Sequence, residues 1–122
     1  MPKILIVEDD PLTAKLYRDF LARGGYEVET AIDGSSGLNQ AEAFSPDGIL
    51  LDLMMPGING VEFLKRLRAL PQFQKIPVLA FTTAFVPQFI EQAKAAGATE
   101  VYDKAKLNGA LIKGAFQQHM AT

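Results

Sequence analysis

The chain contains no cysteine and only one histidine, His119, in 122 residues. Without thiols there is no disulfide, no thiolate nucleophile and no cysteine-bound zinc. One histidine near the C-terminus cannot build a histidine-rich metal site, and it reads as a solvated residue or a helix-end cation. A dominant charge is missing too: 12 Lys and Arg stand against 14 Asp and Glu, for a formal charge of −2. That balance leaves no electrostatic footprint for sequence-independent nucleic-acid binding. No apolar run approaches the ~20 residues that span a bilayer. Met1-Pro2-Lys3-Ile4, with acids directly behind a short apolar stretch, is no signal peptide. What is present, 48% hydrophobic and 21% charged residues, is ordinary globular composition. The expectation is a soluble, cytoplasmic single domain over residues 1–122.

Two kinds of segment alternate along the chain. Lys3 to Val7, Gly48 to Asp52 and Ile76 to Thr82 are short and almost wholly apolar, as strands buried on both faces should be. Glu27 to Ala31 alternates weakly, which suits an edge strand, and Thr99 to Asp103 completes five. Asp10-Pro11 reads as a helix start, with Asp10 capping orphan N–H groups. Leu12, Leu16 and Phe20, beside Tyr17 and Leu21, then form the expected buried face up to Gly24-Gly25. Asp33 opens a second helix with Leu38, Ala41 and Phe44 on one face, closed by Ser45-Pro46. Met55-Pro56-Gly57 is a turn. Asn59 caps the next helix, with Glu62 placed to return a bond, and Val61, Leu64, Leu67 and Leu70 supply its stripe. Pro87 to Ala96 is a helix with Phe89, Ile90 and Ala93 inward. Phe85 and Val86 before it read as core, any exposed remainder being a candidate partner surface. Leu107, Leu111, Ile112, Ala115 and Phe116 mark the last helix.

Five strands alternating with five helices imply an α/β fold, a parallel sheet covered on both faces. In such sheets the functional crevice lies at the carboxyl ends of the strands. The residues there are Glu8, Asp9 and Asp10, then Asp52, Thr82-Thr83 and Lys104. Nucleotide-binding sheets put a glycine-rich loop after the first strand. Three carboxylates at that place would repel a phosphate, so a cation must come first. Oxygen ligands without His or Cys fit Mg²⁺ rather than zinc or copper. With the metal present, Asp52 is a competent nucleophile toward phosphorus, needing no general base because it is already ionised at neutral pH. Lys104 supplies a cation and Thr82 a hydroxyl for the charge that develops during transfer.

These residues in this order resemble the receiver domain of two-component response regulators. The matching pieces are Ile4 to Asp10, then Leu50 to Gly57 continuing to Gly60, then Pro77 to Thr82, then Lys104. The resemblance implies a flavodoxin-like (βα)5 fold with strand order 2-1-3-4-5. It implies that Asp52 accepts a phosphoryl group from a sensor histidine kinase or phosphotransfer protein. Asp9 would be a direct metal ligand, Glu8 a metal-site acid, and Asp52 both ligand and nucleophile, with the backbone carbonyl near Met54 completing the set. Lys104 would pair with a phosphoryl oxygen and Thr82 would move to bond the phosphate. The readout would lie on the fourth helix, fifth strand and fifth helix, and would engage a downstream protein as a monomer or a phosphorylation-dependent dimer. No enzymatic activity is implied beyond self-phosphorylation and autodephosphorylation.

Three positions depart from the family's usual pattern. Ala105 follows Lys104 where proline is usual, which predicts a trans bond and a differently seated lysine loop. Val101 fills the place of the usual switch aromatic, with Tyr102 beside it predicted on the opposite face. Thr83 fills a slot usually given to a small residue, which narrows access for bulky phosphodonors. Met54 and Ala84, two residues beyond Asp52 and Thr82, cannot orient an attacking water, which predicts slow autodephosphorylation. An Asp-nucleophile phosphohydrolase would carry a second acid where Met54 stands, and a flavin or nucleotide binder would not carry the acidic first loop. The serious alternative is a degenerate receiver acting without phosphorylation. The chain is either a stand-alone receiver or one cut from a longer regulator.

Overall fold

Each apolar run buries side chains on both faces, which only a sheet covered on two sides allows. The computed structural model describes residues 1–120. Its elements run β1 (Lys3–Val7), α1 (Pro11–Arg23), β2 (Glu27–Ala31), α2 (Gly34–Phe44), β3 (Gly48–Asp52), α3 (Gly60–Arg68), β4 (Val78–Thr82), α4 (Pro87–Ala96), β5 (Glu100–Asp103) and α5 (Gly109–Met120). All strand pairs are parallel, in the order β2-β1-β3-β4-β5. One core lies under α2, α3 and α4, around Leu5, Leu51, Phe63 and Leu67; the other lies under α1 and α5, around Ile6, Leu50, Phe81 and Phe116. No helix among the described residues is long and apolar enough to cross a membrane.

The strands match the sequence reading to within two residues; β4 begins at Val78 rather than Ile76. The helix faces match less well. Leu12 and Leu16 are 78% and 67% exposed, while Tyr17 and Leu21 are buried as expected, in one row with Ala14. Both sets have helical spacing, so periodicity could not choose between them. The sheet takes the row in which a small residue, Ala14, leaves room for the helix to approach. Phe63, absent from the expected stripe of α3, is fully buried in it. Phe85 and Val86 are exposed, because they lie in the loop before Pro87 and outside the helix that would have carried them to the sheet. On α5, Leu111 is exposed while Ile112, Ala115 and Phe116 face the core, and Leu107 precedes the helix.

Two caps also differ from expectation. The Asp10 carboxylate accepts from the Thr13 hydroxyl rather than from a backbone N–H of the first turn. Asn59 does accept from Glu62 N at 3.0 Å, but the Glu62 carboxylate pairs with Arg66 one turn on, at 3.1 Å, instead of returning a bond. Asp33 caps α2 as expected, accepting from Ser36 N at 2.8 Å and Ser36 Oγ at 2.7 Å. Lys104 does not close β5. It opens a 3-10 turn, Lys104–Lys106, because the Asp103 side chain accepts from Ala105 N at 3.1 Å and bends the chain. No cis peptide bond occurs among the described residues.

Candidate functional site

The site is assembled by the ladders of the sheet running one residue past their strands. Glu8 N donates to Ala31 O at 3.0 Å and Leu53 N to Phe81 O at 3.0 Å, so Glu8 and Asp52 are held at the carboxyl edge of the two central strands. Behind Asp52 the chain must fold sharply away. Gly57, at φ +75°, makes the turn. Gly60 N donates to Leu53 O at 3.1 Å, and a Cβ on Gly60 would stand 2.5 Å from Leu53 Cα. No side chain fits between those backbones.

Glu8, Asp9 and Asp52 each offer a carboxylate oxygen, and these atoms lie within 4.8 Å of one another. Glu8 and Asp52 are buried and Asp9 is exposed, so the cluster opens to solvent on the Asp9 side. Lys104 Nζ stands 3.1 Å from Glu8 Oε1 and 3.5 Å from Asp52 Oδ2. Two backbone donors complete the lining: Met54 N reaches Asp52 Oδ1 at 2.9 Å, and Asp10 N reaches Glu8 Oε2 at 3.3 Å. Thr82 is fully buried at the end of β4, where its Oγ1 accepts from Ala84 N at 3.0 Å. Met54 and Thr83 are exposed.

The electrostatics follow from crowding acids in a buried place. Burial, then the hydrogen bond and charge of Asp52 and the hydrogen bond of Asp9, push the Glu8 carboxyl up to about 8, while Lys104 offsets only part of this. For Lys104, burial works against the ammonium. The hydrogen bond to Glu8 and the charges of Asp52 and Glu8 outweigh it and hold the lysine above its ordinary value. A cluster of oxygen ligands short of positive charge suits a hard divalent cation such as Mg²⁺, which takes carboxylate and carbonyl oxygens and keeps several waters. Nothing in the donor set suits a softer metal.

The sequence named every acid of this cluster, together with Lys104 and Thr82, and the fold brings the acids and the lysine together. It missed Phe81, whose ring lies under Lys104 with Nζ 5.4 Å from the centroid. An aromatic directly before Thr82 was the available signal.

The comparisons agree with this geometry. Residues 4–114 match the response regulator receiver domain family. The chain belongs to that family. The polar-differentiation response regulator DivK of Brucella anthropi is 38% identical over 103 residues, covering 84% of this receiver domain and 83% of DivK. The Vibrio cholerae chemotaxis protein CheY4 superposes with a TM-score of 0.92 at 34% identity, over 98% of both chains. The receiver domain of the sensor histidine kinase PA1611 from Pseudomonas aeruginosa, solved with a magnesium ion coordinated in its active site cleft, superposes with a TM-score of 0.89 at 26% identity, over 99% of this chain and 98% of that one. Two other curated relatives are much longer: the match spans only 34% and 36% of their length. The fold and the family resemblance drawn from the motifs are both borne out.

Proposed function

We propose that this receiver domain, over residues 1–122, accepts a phosphoryl group on Asp52 from the phosphohistidine of a sensor kinase or phosphotransfer protein in the cytoplasm. One observation carries the reading: a buried aspartate with two further carboxylate oxygens within 4.8 Å and a lysine ammonium at 3.5 Å. Glu8, Asp9, Asp52 and the Met54 backbone carbonyl would hold Mg²⁺, as the cleft of the PA1611 receiver domain holds its magnesium. When bound, the metal supplies positive charge that draws the phosphoryl oxygens in. An Asp52 carboxylate oxygen then bonds to phosphorus as the P–N bond of the donor breaks, and the electron pair returns to the imidazole nitrogen, which takes up a proton. Lys104 balances the charge spread over the transferring group. The Met54 N–H, already 2.9 Å from Asp52 Oδ1, orients the carboxylate for attack.

Thr82 links this event to a surface. Its hydroxyl proton can be donated to the phosphoryl group while its oxygen still holds Ala84 N, so a shift of Thr82 pulls Ala84 with it. Ala84 O in turn accepts from Val86 N at 2.9 Å, and Val86 is the residue that flanks the start of α4. Phe85 and Leu111 are exposed and line a cleft of about 200 Å³ together with Val101, Tyr102 and Leu107, and Val86 is exposed beside Phe85. This apolar face of α4, β5 and α5 is the readout, and the aspartyl phosphate biases it toward a downstream protein, or toward a second copy as a phosphorylation-dependent dimer. The assembled site disfavours a degenerate receiver working without phosphate.

Labelling tests the reading. Incubation with acetyl phosphate and Mg²⁺ is expected to add the mass of one phosphoryl group, and Asp52→Asn or chelation of the metal is expected to abolish it. Labelling that persists in Asp52→Asn would remove the assignment. The phosphoryl group is expected to be long-lived, because the exposed Met54 side chain has no hydrogen bond to offer an attacking water. Met54→Asn should shorten the half-life about tenfold, the effect of one hydrogen bond worth about 1.4 kcal/mol to the attacking water; a half-life unchanged or lengthened counts against this account.

A further inference from the structure

Phe81 is fully buried, and its strand position is set by pairing with Asp52 on one side and Tyr102 on the other. In parallel strands registered partners face the same side of the sheet. The phosphoacceptor, the ring and Tyr102 therefore form one row across the face that α1 and α5 cover. Tyr17 of α1 meets the ring edge-on, with centroids 5.9 Å apart and planes at 79°. That contact braces a ring that is fully buried, with a face turned to the lysine. Lys104 Nζ sits over this face at 5.4 Å from the centroid, within the range of a cation–π attraction.

The lysine has few other restraints. It opens a short 3-10 turn instead of extending a strand, and its side chain remains about a quarter exposed. Its other partners are Glu8 and Asp52, the two buried acids of the cluster. Both are committed to change: they are the groups a metal would neutralise, and Asp52 is the group that would carry the phosphate. Engaging them changes the lysine's anionic partners, since a metal would draw on the same carboxylate oxygens and a phosphoryl oxygen would take over from Asp52. Among its partners in the described residues, the ring is the one whose attraction does not depend on the state of either carboxylate.

We propose that Phe81 is a positioning residue for Lys104, its ring face fixed by Tyr17 and holding the ammonium beside Asp52 both before and after phosphoryl transfer. The inference rests on Asp52 being the phosphoacceptor. It adds the group that keeps the cation in place.

The test varies the electronics of the ring and leaves its shape nearly constant. Phenylalanine carrying one, two or three fluorines is inserted at position 81 alone, and the rate of phosphorylation by acetyl phosphate is measured at saturating Mg²⁺. Each fluorine drains the negative ring face. The rate is expected to fall stepwise, to about a tenth at three fluorines, while thermal midpoints and Mg²⁺ affinity stay level. Phe81→Leu should fall as far or further, and the upfield ring-current shift of the Lys104 ε-methylene protons in the unsubstituted protein should vanish in it. A flat rate across the fluorine series, with Asp52→Asn still abolishing labelling, overturns the positioning role and leaves the phosphoacceptor reading intact. No labelling of the unsubstituted protein overturns both.

Discussion

Without metal, the receiver domain is expected to lose stability as the pH rises from about 4.5 to about 8, and Mg²⁺ is expected to restore it. The cause is Glu8. Its carboxyl has an ordinary value of 4.5 in the unfolded chain and is pushed up to about 8 in the fold, first by burial and then by Asp52. Between those two values the folded state holds a proton that the unfolded chain has released, so the unfolding free energy falls with rising pH. The contribution is fully present below the unfolded value and lost as the pH passes the folded one. Lys104 does not change across this window, because its ammonium is held above the ordinary 10.5. A shift of this size corresponds to roughly 2–5 kcal/mol. Mg²⁺ takes the ionised carboxylate and competes with the proton, so its stabilisation should be larger at pH 8 than at pH 5. Urea midpoints measured across that range, with chelator and with millimolar Mg²⁺, read both effects. Glu8→Gln should flatten the metal-free slope. A metal-free stability that rises toward pH 8, or equal stabilisation by Mg²⁺ at both ends, contradicts the arrangement.

Arg68→Met is expected to cost about 3–5 kcal/mol of stability without altering Mg²⁺ affinity in the protein that remains folded. Arg68 closes α3 and ties it to two further segments. Its Nη1 donates to Phe73 O at 2.7 Å and Ile76 O at 2.8 Å, ahead of β4. Its Nε and Nη2 donate to Gly97 O at 3.1 and 2.7 Å, between α4 and β5. Burial pulls the guanidinium below its ordinary value, yet it stays charged at any physiological pH. Methionine keeps most of the stem but leaves three carbonyls without these donors. The position opposite is equally constrained: Gly97 has φ +121°, and a Cβ there would come within 2.6 Å of Arg68 Cγ. Arg68→Lys should recover only part of the loss, since one ammonium cannot reach all three carbonyls. These contacts lie where the chain enters β4 and β5, at the opposite end of the sheet from Asp52, so chemical denaturation and metal titration should separate cleanly. A loss below about 1 kcal/mol would show that water replaces the guanidinium at little cost.

Much of the fold was legible because parallel strands buried on both faces have nowhere to put polar side chains. Lys3–Val7, Gly48–Asp52 and Val78–Thr82 announce themselves as apolar runs. The acids were legible for the complementary reason: carboxylates directly after such runs have no structural purpose that solvation or capping fully covers. Helix orientation was harder. Leu12-Leu16 and Ala14-Tyr17-Leu21 satisfy the same period, and only the surface that the helix lands on distinguishes them. The cap at Asp10 failed for a local reason, since a threonine hydroxyl one turn on competes for the same carboxylate. Arg68 gave no signal at all, because its three acceptors are backbone groups that any residue could present.

By itself the order of residues determined the alternation of strands and helices, and with it the edge of the sheet where Glu8, Asp9, Asp52, Thr82 and Lys104 emerge. That much follows from hydrophobic periodicity and from the handedness of parallel crossovers. Tertiary structure decided the distances: that Lys104 stands between Glu8 and Asp52, that a ring from β4 lies beneath it, and that burial beside Asp52 pushes the Glu8 carboxyl up. Charge and dielectric act through space, and the groups that set them are up to 96 positions apart in the chain.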